Sequence, residues 1–251
     1  LSLLNNQTYY WKIRAATGNG FTGYSPVYSF KTKPAAPTNL SPINNANPVG
    51  TNNVVLSWDS VIGATDYKVY YAASLADVYT NPIAIMTTDG ATAANIAVLN
   101  ANTQYYWGVV ACNADGESVQ NTPISFTTCA NITLTAPNNN AYGIPVKPTY
   151  QWSEITGAIE YTLEVYTANN PIPENRMYDM SGTAININNA VQGYTLANNS
   201  TYYWRVRATL ANGTTAWTSL NTFETVVASP TITAPTNNSV AGIRPNLSWG
   251  V

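Results

Sequence analysis

Three near-copies of one aromatic octet occur at nearly equal intervals along the chain. The octet reads TYYWRVRA at positions 201–208, and its copies are TYYWKIRA at 8–15 and QYYWGVVA at 104–111. The central tryptophans of the three copies are 96 and 97 residues apart. Apolar-x-Trp, Phe-x-Thr and Ala-Pro motifs recur with nearly the same spacing. Because this period is longer than a solenoid unit of about 20–50 residues and matches a small independent domain, the sequence predicts a tandem array of domains.

The residues within each period are typical of β-structure. Thr, Val and Tyr favour strands, while Asn-rich clusters such as that at 44–53 favour turns. Segments 67–71 and 161–166 alternate with period two, and so does the octet, in which Tyr202 and Trp204 alternate with Tyr203 and Arg205. The alternation predicts sheets with one packed face and one hydrated face. The predicted fold class is all-β.

Turn signals follow each octet. The dipeptides are Asn19-Gly20, Asp115-Gly116 and Asn212-Gly213, which are favoured in two-residue hairpin loops that need positive φ. A last strand then ends in Phe-x-Thr. Each repeat is therefore predicted to contain about seven short strands in two sheets, packed as a sandwich about 10 Å thick.

The order of the motifs resembles fibronectin type III repeats in their bacterial form, over essentially the whole chain. That order is Ala-Pro, apolar-x-Trp, Gly-Ala-x-x-Tyr (63–67 and 157–161), a Leu shortly before Tyr-Tyr-Trp, and Phe-x-Thr. The resemblance implies immunoglobulin-like sandwiches of seven strands each, arranged as beads on a string into a rod.

The resemblance also implies a tyrosine corner in each repeat, in which a tyrosine hydroxyl bonds to nearby backbone. The expected corner residues are Tyr9, Tyr105 and Tyr202. The leucine that accompanies each tyrosine lies six residues before Tyr105 and Tyr202 but five before Tyr9. The first corner is therefore expected to be built differently.

Six tryptophans are predicted to form the structural core. A buried aromatic side chain contributes about 150–250 Å² of area, which a domain of roughly 95 residues needs because small domains are marginally stable. The predicted core residues are Trp11, Trp58, Trp107, Trp152, Trp204 and Trp249.

The phase of the repeats predicts four segments. Residues 1–32 correspond to the last two strands (F and G) of a domain, 33–128 and 129–225 to two complete domains, and 226–251 to the first two strands (A and B) of another. The chain is thus expected to be a piece of a longer array. Its linkers are short and contain proline, which predicts a semi-stiff string.

The sequence carries few residues suited to chemistry. It has no histidine, which excludes histidine-based triads and metal sites, and it has no phosphate-loop or EF-hand pattern. Cys112 and Cys129 are expected to lie too far apart along the strands for a disulfide. We predict a non-enzymatic protein with no catalytic, cofactor-binding or metal residue.

Two surface features are candidates for binding. Outward tyrosines on the octet strand and on the strands predicted at 67–71 and 161–166 could stack sugar rings, although ordinary cross-strand pairing is the favoured interpretation. They are Tyr10, Tyr70, Tyr106, Tyr166 and Tyr203.

The middle repeat differs from its neighbours on this outward face. It has Gly108 and Val110 where the other octets have pairs of cations. The loss of charge predicts a more apolar face, which could pack against a neighbouring domain or chain or reflect neutral drift. The candidate interaction face comprises Tyr106, Gly108, Val110 and Tyr203.

Charge and composition argue against two classes of protein, those that bind nucleic acid and those that span a membrane. The formal net charge of −2 and pI of about 5.0 offer no basic patch for nucleic acid, and no apolar run reaches the ~20 residues of a membrane span.

With the resemblance, the Lys-poor composition suggests a secreted bacterial surface protein, an adhesin stalk or filament, that acts as spacer and scaffold. Expected partners are other domains of the same chain, proteins or surface glycans. The alternatives are carbohydrate-binding or spacer modules of a polysaccharide-degrading enzyme, and a self-assembling polymer subunit.

Overall fold

The computed structural model describes residues 2–183, 191–192 and 195–250. Internal contacts divide the chain into two compact units. Unit 1 comprises Leu1–Asn131 and Leu210–Ala216, and unit 2 comprises Ile132–Thr209 and Trp217–Val251. The predicted boundaries after residues 32, 128 and 225 remain a prediction.

The first half of the chain is built from short strands and one 3₁₀ turn, Leu75–Asp77. The strands are β1 (Thr8–Trp11), β2 (Ala16–Thr17), β3 (Gly20–Phe21), β4 (Tyr28–Lys31), β5 (Ala46–Val49), β6 (Asn52–Ser57), β7 (Asp66–Ala72), β8 (Ala84–Thr87), β9 (Ala93–Val98), β10 (Gln104–Asn113), β11 (Gly116–Glu117) and β12 (Ile124–Thr128).

Strands β5 to β12 form the first sandwich. Its larger sheet has the order β5-β12-β10-β7-β8, with β11 paired to β10, and its smaller sheet is β6-β9. All pairs are antiparallel except β5 with β12, which is parallel. Strands β1 and β4 form a separate two-stranded sheet, and β2 and β3 form a small hairpin.

The second half follows the same plan with a 3₁₀ turn at Pro173–Asn175. Its strands are β13 (Leu134–Ala136), β14 (Ala141–Ile144), β15 (Thr149–Trp152), β16 (Ala158–Tyr166), β17 (Arg176–Thr183), β18 (Val191–Gln192), β19 (Thr201–Leu210), β20 (Asn221–Thr225), β21 (Thr231–Ala234) and β22 (Ser248–Gly250).

Strands β13 to β20 form the second sandwich. Its larger sheet has the order β14-β20-β19-β16-β17, and its smaller sheet is β13-β15-β18. Strand β14 runs parallel to β20, as β5 does to β12. Strands β21 and β22 form a separate pair. The predicted all-β class and sandwich architecture are confirmed.

The two sandwiches bury their aromatic residues between the sheets. Trp107 and Trp204 are fully buried, and Trp58 and Trp152 are 5% exposed. Trp58 lies 6.5 Å from Trp107 between ring centroids. Trp204 packs instead on Tyr150, at 5.0 Å, so the aromatic pair at the centre of each core differs.

The prediction that all six tryptophans point into a core is wrong for two of them. Trp11 on β1 is 46% exposed and Trp249 on β22 is 66% exposed. Both lie on two-stranded sheets that no second sheet covers among the residues described. Trp11 contacts Tyr28 across the strand pair, but a single sheet cannot enclose a side chain of this size.

Asparagines in the left-handed conformation explain part of the Asn-rich composition. Asn6, Asn102 and Asn199 have φ of 53°, 50° and 46°, and they occupy the same place before β1, β10 and β19. Asn45 and Asn140, with φ of 62° and 60°, occupy matching places before β5 and β14. Asparagine tolerates this conformation better than most residues with a Cβ. The repeat therefore fixes asparagine at particular turns.

The predicted Gly-containing hairpins are present but shifted by one residue. Thr17 pairs with Gly20 and Asn113 pairs with Gly116. The glycines therefore close the hairpins instead of occupying the second loop position, and they do so with φ of 127° and 122°. Within the described part of the chain, no helix is long and apolar enough to cross a membrane.

Candidate functional site

A tyrosine hydroxyl fixes the chain just before each octet strand. The backbone N–H of Leu4 donates to Tyr9 Oη at 2.8 Å, that of Asn100 to Tyr105 Oη at 3.1 Å, and that of Ala197 to Tyr202 Oη at 3.0 Å. The donor lies five residues before the tyrosine in all three cases. The first corner is therefore not built differently, because the shift of its leucine by one residue leaves the hydrogen bond unchanged.

The threonine of each Phe-x-Thr motif bonds to the same corner residue whose N–H donates to the tyrosine, through that residue's carbonyl group. Thr32 Oγ1 donates to the carbonyl of Leu4 at 2.7 Å, Thr128 Oγ1 to that of Asn100 at 2.6 Å, and Thr225 Oγ1 to that of Ala197 at 2.7 Å. Both backbone groups of the corner residue are thus satisfied by side chains. The sequence signalled this role only through the recurrence of Phe-x-Thr.

The Gly-Ala-x-x-Tyr motif builds a second, similar anchor. Tyr67 Oη accepts the N–H of Val61, and Tyr161 Oη accepts that of Ile155, both at 2.7 Å. The glycines of the motif, Gly63 and Gly157, have φ of 79° and 76°. Each glycine provides the left-handed turn that brings the tyrosine back over the chain before it.

The outer face of the larger sheet in the second sandwich carries a buried acid. Glu164 on β16 is 7% exposed. Its carboxylate accepts Arg205 Nε at 2.8 Å and Arg176 Nη1 at 3.0 Å, and it also accepts the hydroxyl of Tyr166. Arg205 donates to the same Tyr166 oxygen at 2.9 Å. We call these four residues the Glu164 network.

The network shifts the acidity of two of its members. Burial by itself raises the pKa of Glu164, but hydrogen bonds from Tyr166, Arg205 and Arg176 outweigh burial and leave this pKa below its ordinary value. Burial and the hydrogen bond to Glu164 raise the pKa of Tyr166 to about 12. The carboxylate is thus held in its charged form within the sheet face.

Cations stacked on aromatic rings extend this face. The guanidinium carbons of Arg205 and Arg207 lie 4.3 and 4.7 Å from the ring centre of Trp217. The β1–β4 region repeats the arrangement with Lys12 and Arg14, which lie 4.2 and 5.0 Å from the ring centre of Tyr24. Such contacts contribute about 0.5–1 kcal/mol at exposed sites.

The first sandwich fills the equivalent face with a tyrosine. Tyr79 lies over Gly108, where a Cβ would overlap its hydroxyl and ring. The hydroxyl donates to the Asn121 carbonyl at 2.9 Å and also contacts the Asn121 side chain. Tyr70 packs edge-on against Tyr79 at 5.2 Å. Burial and the neighbouring Tyr70 phenol raise the pKa of Tyr79 above its ordinary value.

The predicted interaction face is therefore not an open surface in the first sandwich. Gly108 is buried and Val110 is 1% exposed. Tyr106 is half-buried, and its hydroxyl donates to Gln104 Oε1 at 2.9 Å. The face has lost its charged side chains, as predicted from the sequence, but Tyr79 of the same sandwich covers it. Tyr79 fits there because Gly108 has no side chain.

The other outward tyrosines do not form one continuous strip. Tyr10 is 74% exposed and Tyr203 is half-buried, whereas Tyr166 is 1% exposed and belongs to the Glu164 network. The structure therefore brings Tyr166 together with charged groups and leaves Tyr203 beside Thr222 of β20. Tyr203 is the member of the predicted face that retains access to solvent in the second sandwich.

Cys112 and Cys129 are not bonded to each other, as predicted. Burial raises the pKa of both thiols above the ordinary value. Cys112 pairs with Glu117, and the register with β10 changes between β11 and β12. Across the described ranges, no three acidic or cysteine residues cluster in a way that could hold a metal ion.

No protein-family model matches the chain. No curated protein matches it either.

Solved structures of fibronectin type III proteins are similar to the chain at low identity. The FN1–FN3 domains of chicken CNTN1 are 13% identical, with 89% of this chain and 77% of that chain covered and a TM-score of 0.34. A two-domain fibronectin type III segment of chicken tenascin is 14% identical, with coverages of 76% and 99% and a TM-score of 0.31. A protein described as FN3tt mut is 23% identical, with coverages of 38% and 94% and a TM-score of 0.30.

Proposed function

We propose that this chain is a non-enzymatic repeat segment that acts as a spacer and interaction scaffold in a large secreted bacterial cell-surface protein, such as an adhesin stalk or filament. The observation that carries the proposal is the corner built identically at Tyr9, Tyr105 and Tyr202. The framework repeats while the outer sheet faces differ. This is what an array needs if every unit must bear load and only some surfaces bind.

Composition supports an extracellular surface location. Only 9% of the residues are charged, and the chain is rich in asparagine and threonine and poor in lysine. Proposed partners are other domains of the same long chain, and proteins or glycans at the surface. The proposed load-bearing units are residues 33–128 and 129–225.

Single-molecule force spectroscopy of the 251-residue chain, tethered by its two ends, tests the proposal. Each sandwich should unfold as a separate event that lengthens the chain by roughly 300 Å, because about 96 residues extend by some 3.3–3.6 Å each, less the folded length. Two equal steps support independent load-bearing units. One combined step, or extension without a resisting force, would contradict the proposal.

Sedimentation over a concentration series tests the rival polymer function. A spacer should remain a monomer as concentration rises. Growth into larger particles would instead favour a self-assembling subunit and would argue against a role as a passive spacer.

A further inference from the structure

A small polar pocket lies at one edge of the larger sheet in the second sandwich. Its volume is about 240 Å³, and β14, β19 and β20 contribute its walls. The side chains that define it are Tyr142, Thr201, Thr222 and Glu224, with Asn140 at the rim. It lies in unit 2, away from the Glu164 network.

Strand alternation places these groups on the outer face of the sheet. Thr201 pairs with Glu224 across β19 and β20, while the neighbouring residues Tyr202 and Phe223 are buried in the core. Successive side chains in a strand point to opposite faces. Thr201, Thr222 and Glu224 therefore direct two hydroxyls and a carboxylate to the same outer surface.

The polar side chains of the pocket make no hydrogen bond within the part of the chain that the structure describes. Among the described residues, the side-chain oxygens of Thr201, Thr222 and Glu224 take part in no hydrogen bond or ion pair of the chain. Tyr142 is 79% exposed and thus presents its ring to solvent. The pocket combines free donors and acceptors with one accessible aromatic surface.

The first sandwich closes the same place with its own side chains. Ser125, which matches Thr222 in register, donates to Asn45 Oδ1 at 2.9 Å and lies near Asn44 Oδ1. Gln104, which matches Thr201, donates to Ser125 Oγ at 3.4 Å. Ser125 is 3% exposed. In the second sandwich Thr201 is shorter than Gln104, and a pocket lies where the first sandwich has its hydrogen-bonded cluster.

We propose that this pocket binds one neutral sugar ring of a glycan. A pyranose presents hydroxyls for the two threonines, Asn140 and Glu224, and a C–H face that can pack on the ring of Tyr142. The volume is below the roughly 300–1,000 Å³ of sites for drug-sized ligands, which restricts the occupant to about one ring. The carboxylate of Glu224 opposes anionic ligands. The site rests on the glycan partners of the proposed scaffold, but it does not depend on the spacer role, which the force measurement tests separately.

Titration of the 251-residue chain with methyl glycosides of glucose, galactose, mannose and N-acetylglucosamine, followed by NMR of backbone amides, tests the site. At least one glycoside should shift the amides of Tyr142, Thr201 and Glu224 in a saturable way. Tyr142→Ala should weaken binding at least tenfold. Thr201→Gln, which installs the residue of the first sandwich, should weaken it to a similar extent.

The matched control is Asn47→Ala, since Asn47 follows Ala46 in the first sandwich as Tyr142 follows Ala141 in the second. This change should leave the affinity unaltered. The absence of saturable shifts with all four glycosides would overturn the proposal. So would unchanged affinity in Tyr142→Ala, or binding of lysine methyl ester without binding of any sugar, which would assign the pocket to a basic side chain.

Discussion

The outer faces of the two larger sheets are covered by side chains in two different ways. In the second sandwich, Arg205 stacks on Trp217 and bonds to Glu164. In the first, Gly108 stands at the position of Arg205, and Tyr79 covers the strand. Neither face is left as bare apolar sheet.

The comparison shows that the residue differences on the outer face depend on one another. Where the first sandwich lacks both octet cations, Tyr70 stands in the place of Glu164, and Gln120 in the place of Trp217. A charge left behind after only one of these changes would be buried without a partner, which is costly. The residues of the outer face therefore differ together between the two sandwiches, while the residues of the tyrosine corner stay the same.

The largest expected effect comes from breaking the Glu164 network. Arg205→Met should destabilise the second sandwich by about 3 kcal/mol, because a carboxylate whose side chain is 9% exposed loses a close cation. Peptide-resolved hydrogen exchange measures the opening free energy of each sandwich separately. Arg207→Met removes a contact with Trp217 and should cost under about 1 kcal/mol. Equal losses from the two changes would show that the network does not stabilise the fold.

The next effect tests the cover on the first sandwich. Gly108→Ala should cost about 2 kcal/mol, because the added methyl group would overlap Tyr79 and displace it. Protection should fall in β7 and β10, and the second sandwich should be unaffected. Gly18→Ala is the control, since a Cβ there has nothing within 4 Å. A Gly108→Ala protein as stable as the parent would mean that Tyr79 does not cover this strand in solution.

The corners should respond alike in both sandwiches. Tyr105→Phe and Tyr202→Phe each remove one hydrogen bond, at 3.1 and 3.0 Å, and should each cost about 1 kcal/mol. Urea unfolding of each variant gives the free energy. Tyr106→Phe removes only an exposed bond to Gln104 and should have almost no effect. Unequal losses at the two corners would show that the framework is not shared.

The smallest effect is a dependence on pH confined to the second sandwich. Because the pKa of Glu164 is lower in the folded state than its ordinary value of 4.5, its charge stabilises the fold above that pH. This contribution is lost as pH falls through the folded pKa.

Glu164→Gln tests this dependence. It should flatten the loss of stability that sets in as the pH falls below the ordinary carboxyl pKa of 4.5, measured by hydrogen exchange in β16 and β19. Glu154→Gln controls for the change in net charge. An unaltered pH profile in Glu164→Gln would contradict the assignment.

Much of the framework could be predicted because its signals are local or repeated. Period-two alternation indicated the strands, and the resemblance to fibronectin type III repeats implied the corner tyrosines. The exposed state of Trp11 was missed, because alternation tells which face of a strand a residue occupies but not whether another sheet covers that face. The hairpins were misplaced by one residue for a similar reason, since Asn-Gly and Asp-Gly indicate a turn but not which residues pair across it.

The sequence by itself determined the all-β class and the period, because these depend on residues that are close in the chain or copied from repeat to repeat. Its resemblance to a known family added the tyrosines that fix each corner. Only the tertiary structure decided which outer positions are open. Tyr79 covers Gly108 from 29 residues away, and Arg205 meets Glu164 from 41 residues away. Such cover depends on strand register and on the volume of distant side chains, which a pattern within one strand does not encode.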